Sequence, residues 1–222
     1  MAVNWFPLWL SLRVAAIATL ISLVIGLWLA DLLAHRQFRG KQWVEAAVGL
    51  PLVLPPTVIG YYLLVLLGRS SPLGQLYEWA FGSPLVFTWQ AAVVASTLSA
   101  IPLLVKSTLT AFQRLELSHG RAARSLGASG WRVFWRITLP LAHRSVTAAG
   151  LLAFARALGE FGVTLMIAGS IPGKTQTAAV AIYNADVAGN TLLARALVLA
   201  LSAIVLGLFF AAHRLEQPRV SG

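Results

Sequence analysis

The sequence predicts an all-α fold, a polytopic membrane bundle of about five transmembrane helices. Three observations predict it. Hydrophobic residues make up 58% of the 222 residues, charged ones only 11%, and the mean hydropathy is +0.78. A soluble domain carries about 25% charged residues, so this chain lacks the polar surface to coat a water-soluble globule. Five separate stretches are long and apolar enough to cross the membrane, which takes roughly 20 helical residues for about 30 Å of hydrocarbon. The basic residues gather beside those stretches. That placement fits loops facing anionic lipid, so the net charge of +10 does not point to nucleic acid. The chain has no cysteine, which excludes disulfides and cysteine-based metal or nucleophile chemistry.

The first stretch, residues 8–34, has no basic region ahead of it and is too long for a signal-peptide core. It is expected to be a retained span. Arg13 lies in its outer part and either snorkels or attracts an anion. The loop HRQFRGKQ follows. The second stretch, 43–67, contains Pro51, Pro55 and Pro56. Each proline removes a backbone donor and crowds the preceding turn. In lipid the result is a bent helix whose neighbours satisfy the freed carbonyls, or a break that lines a cavity. Residues 68–83 gather Gly, Ser and Pro around QLYEWAF. They read as an external loop with a short interfacial helix anchored by Tyr77 and Trp79. The third stretch is 86–112, with Lys106 near its inner end and able to snorkel.

Residues 113–140 form a long loop rich in arginine and aromatics. Its core, RAARSLGASGWRVFWRITLP, reads as two short helices around a turn. Ala122, Ala123 and Leu126 share one helical face. Gly127 suits a turn or a tight contact. Trp131, Phe134 and Trp135 stand three and four apart, with Arg132 and Arg136 on the other flank. Such a helix either docks into a protein groove or rests on lipid.

The fourth stretch, 141–168, carries FARALGEFGVT. Arg156 and Glu160 are an i, i+4 pair. Ionised side chains inside a membrane face the bundle interior and pair together, so this is either a polar part of a path or a structural salt bridge. Gly159 and Gly162 allow close packing or a bend. The following GSIPGKT imitates a phosphate-binding loop, but only three residues separate its glycines where four are needed. It is expected to be an external turn. The fifth stretch is 192–212. His35, His119, His143 and His213 are scattered near helix ends without ligand spacing, so no metal is assigned. No catalytic set is assigned either.

Arg36, Arg39, Lys41, Arg114, Arg121, Arg124, Arg132, Arg136, Arg144, Arg214 and Arg219 fall on one side of these spans. Arg69, Lys174 and Arg195 fall on the other. The positive-inside rule puts the richer side in the cytoplasm. The N-terminus is then outside and the C-terminus inside, as an odd number of spans requires.

Ala122-Ala123, Gly127, Ile137 and Leu139-Pro140 have a spacing that resembles the EAA loop of permease subunits in bacterial ATP-binding-cassette importers. Arg121 stands where that family usually has glutamate. The run LAFARALGEFG, the PLVLPPTVIGYYLL run of the second stretch and the segment from Ser170 to Thr175 resemble molybdate-importer permeases. The likeness covers most of the chain from residue 50 to 177. It implies a single permease domain over residues 1–222, all in the bacterial inner membrane and working as a homodimer. It implies two ATPase subunits docked on a coupling loop that includes Arg121, Ala122, Ala123, Gly127, Trp131, Ile137, Leu139 and Pro140.

ATP and magnesium would sit on the ATPase, with no cofactor on this chain and no nucleic acid partner. A periplasmic binding protein would deliver a tetrahedral oxyanion, most simply molybdate, with sulfate or tungstate as alternatives of the same shape. Transport would proceed by alternating access. Hydroxyls at Thr57, Ser96, Ser99, Thr147 and Thr164 are available to replace water around the ion, with few fixed charges so that it is not trapped. Two other classes stay in view. An intramembrane enzyme lacks a recognisable nucleophile or ligand set here. An ATP-independent carrier would favour inverted repeats, and none is evident.

Overall fold

A computed structural model describes residues 4–115, 123 and 127–216, and all the regular elements among them are helical. The bundle is centred on α1 (Phe6–His35) and α5 (Trp89–Leu115). Arg13 lies over the Trp89 ring, the Ser22 hydroxyl donates to the Thr97 carbonyl at 3.4 Å, and Gly26 packs against Leu104. These contacts advance together along both helices, so α1 and α5 run parallel. The seam is built from alanines: Ala15, Ala18, Ala91, Ala92, Ala95 and Ala100 are all buried. Small side chains let helix backbones approach closely where lipid supplies no hydrophobic drive.

Parallel helices require the chain to return between them. α2 (Lys41–Val53) and α3 (Pro56–Leu67) make that return, with a bend of 115°. Of the two readings of residues 43–67, the broken span is the one observed. The prolines explain the break. Leu54 and Pro55 each precede a proline and are extended, with ψ of 141° and 138°, because the following ring disfavours helical backbone there. Pro56 then opens α3 at its first position, where a missing N–H is harmless. α4 (Pro72–Phe81) is the expected short helix, capped by Ser71 Oγ, which accepts the Gly74 N–H at 2.9 Å. Trp79 is exposed on it.

The expected boundary between loop and fourth span is absent. α6 is one helix from Gly130 to Leu158, and Phe134–Thr138 within it is a π-helical turn. Pro140 follows two residues after Thr138. It cannot donate to the Arg136 carbonyl, and a widened turn accommodates that loss. α6 runs antiparallel to α5: Phe134 meets Phe112 edge-on at 6.0 Å, and the Ser96 hydroxyl donates to the Ala157 carbonyl at 3.3 Å.

Residues 141–168 are not one helix. α6 stops at Leu158, and α7 (Gly162–Ala168) completes the climb after an irregular turn. Its Ile167 carbonyl accepts the Phe87 N–H at 2.8 Å, level with the start of α5.

Beyond it lies α8 (Ala178–Val187), a helix that the sequence reading did not anticipate. Ser11 Oγ of α1 accepts its Ala178 N–H at 2.7 Å. α9 (Thr191–Glu216) places Arg195 near Gly159 and Leu208 near Gly150. It therefore runs antiparallel to α6 and ends where α1 and α5 end. Among the described residues, four helices are individually long and apolar enough to cross a membrane, five with the broken pair.

Candidate functional site

The turn between α6 and α7 carries the charged residues. Glu160 is 3% exposed. Its Oε2 accepts from Arg156 Nη1 at 2.9 Å and from the Ser99 hydroxyl at 2.7 Å. Its Oε1 accepts the Val163 N–H at 3.0 Å, one of the free donors at the start of α7. A carboxylate is well placed at a helix N-terminus, and hydrogen bonds to it are charge-assisted.

The i, i+4 contact is thus made, but not along a continuous helical face. The helix has already ended, and the turn swings the carboxylate back over Arg156. Arg156 is only partly covered, its side chain 38% exposed. The break thus leaves part of the Arg156 side chain open while Glu160 offsets its charge.

Two helix breaks meet here. A Cβ on Gly162 would lie 2.6 Å from Pro56 Cβ. Only glycine permits α3 and α7 to touch at that point. Ser96 and Ser99 are buried on α5 against this turn, and Thr164 is buried in the first turn of α7, its hydroxyl without a hydrogen-bond partner among the described residues. Thr57 follows Pro56 and is exposed. Thr147 lies apart. Its hydroxyl donates to the His143 carbonyl at 2.8 Å, and it lines an apolar groove with Leu23 and Leu208.

Arg121 and Ala122 lie outside the described residues. Ala123 is half-buried, and its carbonyl accepts the Ala128 N–H at 3.1 Å to close a turn. Gly127 in that turn has φ of +83°, and no described atom lies within 4 Å of where its Cβ would be. Among the described residues it is needed for the turn, not for a tight contact.

At the start of α6, Val133 is buried, while Trp131 is 75% and Trp135 50% exposed, with ring centroids 5.6 Å apart. Arg132 and Arg136 are exposed beside them, Ile137 and Leu139 are half-buried, and Pro140 is exposed. An aromatic pair flanked by cations therefore stands at the end of the bundle where α5 ends. At the opposite end, GSIPGKT forms an exposed turn. The Thr175 hydroxyl accepts the Ile171 N–H at 3.1 Å and is committed to holding that turn. Arg13 is held over Trp89 at 4.1 Å and Trp9 at 5.5 Å.

Residues 22–221 match the family model described as the inner membrane component of binding-protein-dependent transport systems. The putative molybdenum transport system permease protein YvgM of Bacillus subtilis (strain 168) is 46% identical over 205 residues, covering 92% of this chain and 90% of that protein. The molybdenum transport system permease protein ModB of Escherichia coli (strain K12) is 44% identical over 181 residues, 81% of this chain and 79% of that protein. The sulfate transport system permease protein CysW of Synechococcus elongatus is 34% identical over 168 residues, 76% of this chain and 58% of that protein.

The fold is also that of a solved bacterial ABC transporter involved in alginate import. The TM-score is 0.70 at 16% identity, over 98% of this chain and 79% of that one. With four candidate membrane helices among the described residues, five with the broken pair, the chain belongs to the family of inner-membrane components of binding-protein-dependent transport systems.

Proposed function

We propose that the chain is the permease subunit of an ATP-driven importer for a tetrahedral oxyanion, molybdate, taken from a binding protein outside the cell. The observation that carries the reading is the Glu160–Arg156–Ser99 cluster at the contact of two helix breaks. It offers an anion a guanidinium edge while leaving the site nearly neutral. A transport site must admit its ion without holding it. The choice of molybdate is supported by the names of YvgM and ModB.

In this reading two copies face each other, and two ATPase subunits that hold ATP and magnesium dock at Gly127, Trp131 and Trp135. The N-terminus is outside and the C-terminus inside. α6 is continuous from the docking turn to Arg156. Its 26 or so residues over that length make a rod of about 40 Å. Closure of the ATPases moves one end of that rod, and the charged break moves with the other. This is the physical content of alternating access here. The expected result of deleting the chain from its cell is loss of molybdate uptake at trace concentration, restored by supplying the chain again. Loss of sulfate uptake with molybdate uptake intact would overturn the substrate. Retention of both would overturn the oxyanion.

A further inference from the structure

We infer that one face of α5 lines the cytoplasmic half of the ion path, and that Lys106 is the residue that draws the anion along it. The inference rests on the oxyanion reading above. Ser96, Ser99, Leu103, Lys106, Thr110 and Gln113 follow one another at steps of three and four, so they form a single stripe on the helix. Five of these six are polar, and the stripe runs from the charged break to the open end of the helix. The upper end of the stripe is buried and joins the charged break: Ser99 bonds Glu160, and Ser96 bonds the Ala157 carbonyl. Its lower end is open, with Lys106, Thr110 and Gln113 all exposed. Thr110 also borders a polar cavity between α5 and α6, shared with Ser107, Ser145 and Arg114.

Lys106 lies about 10 Å below Ser99 along the helix axis. Its ammonium has no carboxylate partner among the described residues. Snorkelling to the membrane surface would carry it toward the helix end. Instead, Nζ lies against the middle of α2, 4.0 Å from where a Cβ on Gly49 would be. Gly49 is eight residues into α2. A cation held there, beside hydroxyls and below a neutralised pair, is the next favourable position for a dianion leaving Arg156. A charged residue at this depth faces a cavity or a pathway by default. The neutral Arg156–Glu160 pair and the uncompensated Lys106 together make a potential that falls toward the cytoplasm for an anion.

This chain has no native cysteine, so within it the reagents reach only an introduced thiol, and the wild-type transporter treated in the same way controls for thiols on the partner subunits. The complete transporter, with its ATPase and binding protein, is reconstituted in vesicles carrying Lys106→Cys. Molybdate uptake should fall about ten-fold, the lower end of what local charge focusing supplies. Treatment with 2-aminoethyl methanethiosulfonate returns an ammonium and should restore most of the uptake. The sulfonatoethyl reagent of similar size should not.

A second measurement does not need transport. Thr110→Cys should be labelled from the cytoplasmic side, faster by the anionic reagent than by the cationic one, and Lys106→Gln should remove that preference. Undiminished uptake in Lys106→Cys, equal rescue by both reagents, or charge-blind labelling of position 110 would overturn the inference. A wild-type transporter that carries no oxyanion sinks the oxyanion reading instead, and the labelling still decides whether the stripe lines an anion-attracting path.

Discussion

Glu160 has more partners than its spacing from Arg156 supplies. Ser99, on a different helix, and the Val163 N–H both hold the carboxylate. The two members of the pair also differ in their access to water, since Glu160 is buried and Arg156 is not. That asymmetry predicts unequal mutants. Arg156→Gln leaves a buried carboxylate without its counter-ion and should destabilise by about 3–5 kcal/mol. Glu160→Gln leaves a guanidinium that can turn toward water, and it retains a side chain able to bond Ser99. It should be the milder change. The double mutant should resemble Glu160→Gln alone. Thermal unfolding of the detergent-solubilised protein, read as a double-mutant cycle, checks this. Strictly additive losses would exclude a direct interaction, and a milder Arg156→Gln would show that the carboxylate is not the buried partner.

The elements of the bundle depend on where helices stop, and here the close contact of α3 with α7 is decisive. Gly162→Ala places a methyl group against Pro56 with no room for it. Overpacking of this kind costs about 1–3 kcal/mol, and it should lower the unfolding temperature and uptake together. An unchanged unfolding temperature would mean that the two short helices do not touch as described. The same region marks how far the sequence was legible. Five apolar stretches were enough to place the crossings, because hydrocarbon thickness fixes their length. Pro51, Pro55 and Pro56 announced trouble in the second stretch but left bend and break equally open, since neighbours decide whether freed carbonyls are satisfied. Gly159 and Gly162 gave a weaker signal, and the fourth stretch was read as one span when it is α6 and α7.

α8 was missed for a different reason. Its ten residues are too few to span and its apolar positions have no clear period; it is held by Ser11, 167 residues away. The link of Arg156 to Glu160 was visible in the spacing, whereas the part of Ser99 in it was not, because only the packing of α5 on α6 brings them together. The π-helical turn before Pro140 had no separable signature in a loop already read as helical.

At the scale of the whole molecule, direction follows from packing and sidedness from charge. The parallel course of α1 and α5, and the antiparallel courses of α6 and α9, put the start of α1 and the end of α9 at opposite ends of the bundle. The broken second span is what makes the number of crossings odd; were α2 and α3 a re-entrant loop, α1 and α5 could not run parallel. One end of the bundle carries Arg36, Arg39, Lys41, Arg132 and Arg136, together with the exposed tryptophans of α6. The other carries Arg69, Lys174 and the GSIPGKT turn. Lys and Arg concentrate on the cytoplasmic side of membrane proteins, so the proposed function sets the tryptophan end toward the ATPases and the GSIPGKT turn toward the binding protein. Single cysteines replacing Asn4 and Lys174 should therefore react with an impermeant thiol reagent in intact cells. Those replacing Lys41 and Arg132 should react only after the membrane is opened. The positions are exposed or nearly so, and no native thiol of this chain competes. Labelling of position 132 from outside would reverse the bundle, and with it the assignment of the docking turn to the ATPase. Labelling of positions 4 and 41 from the same side would leave the orientation open and remove α1 as a span.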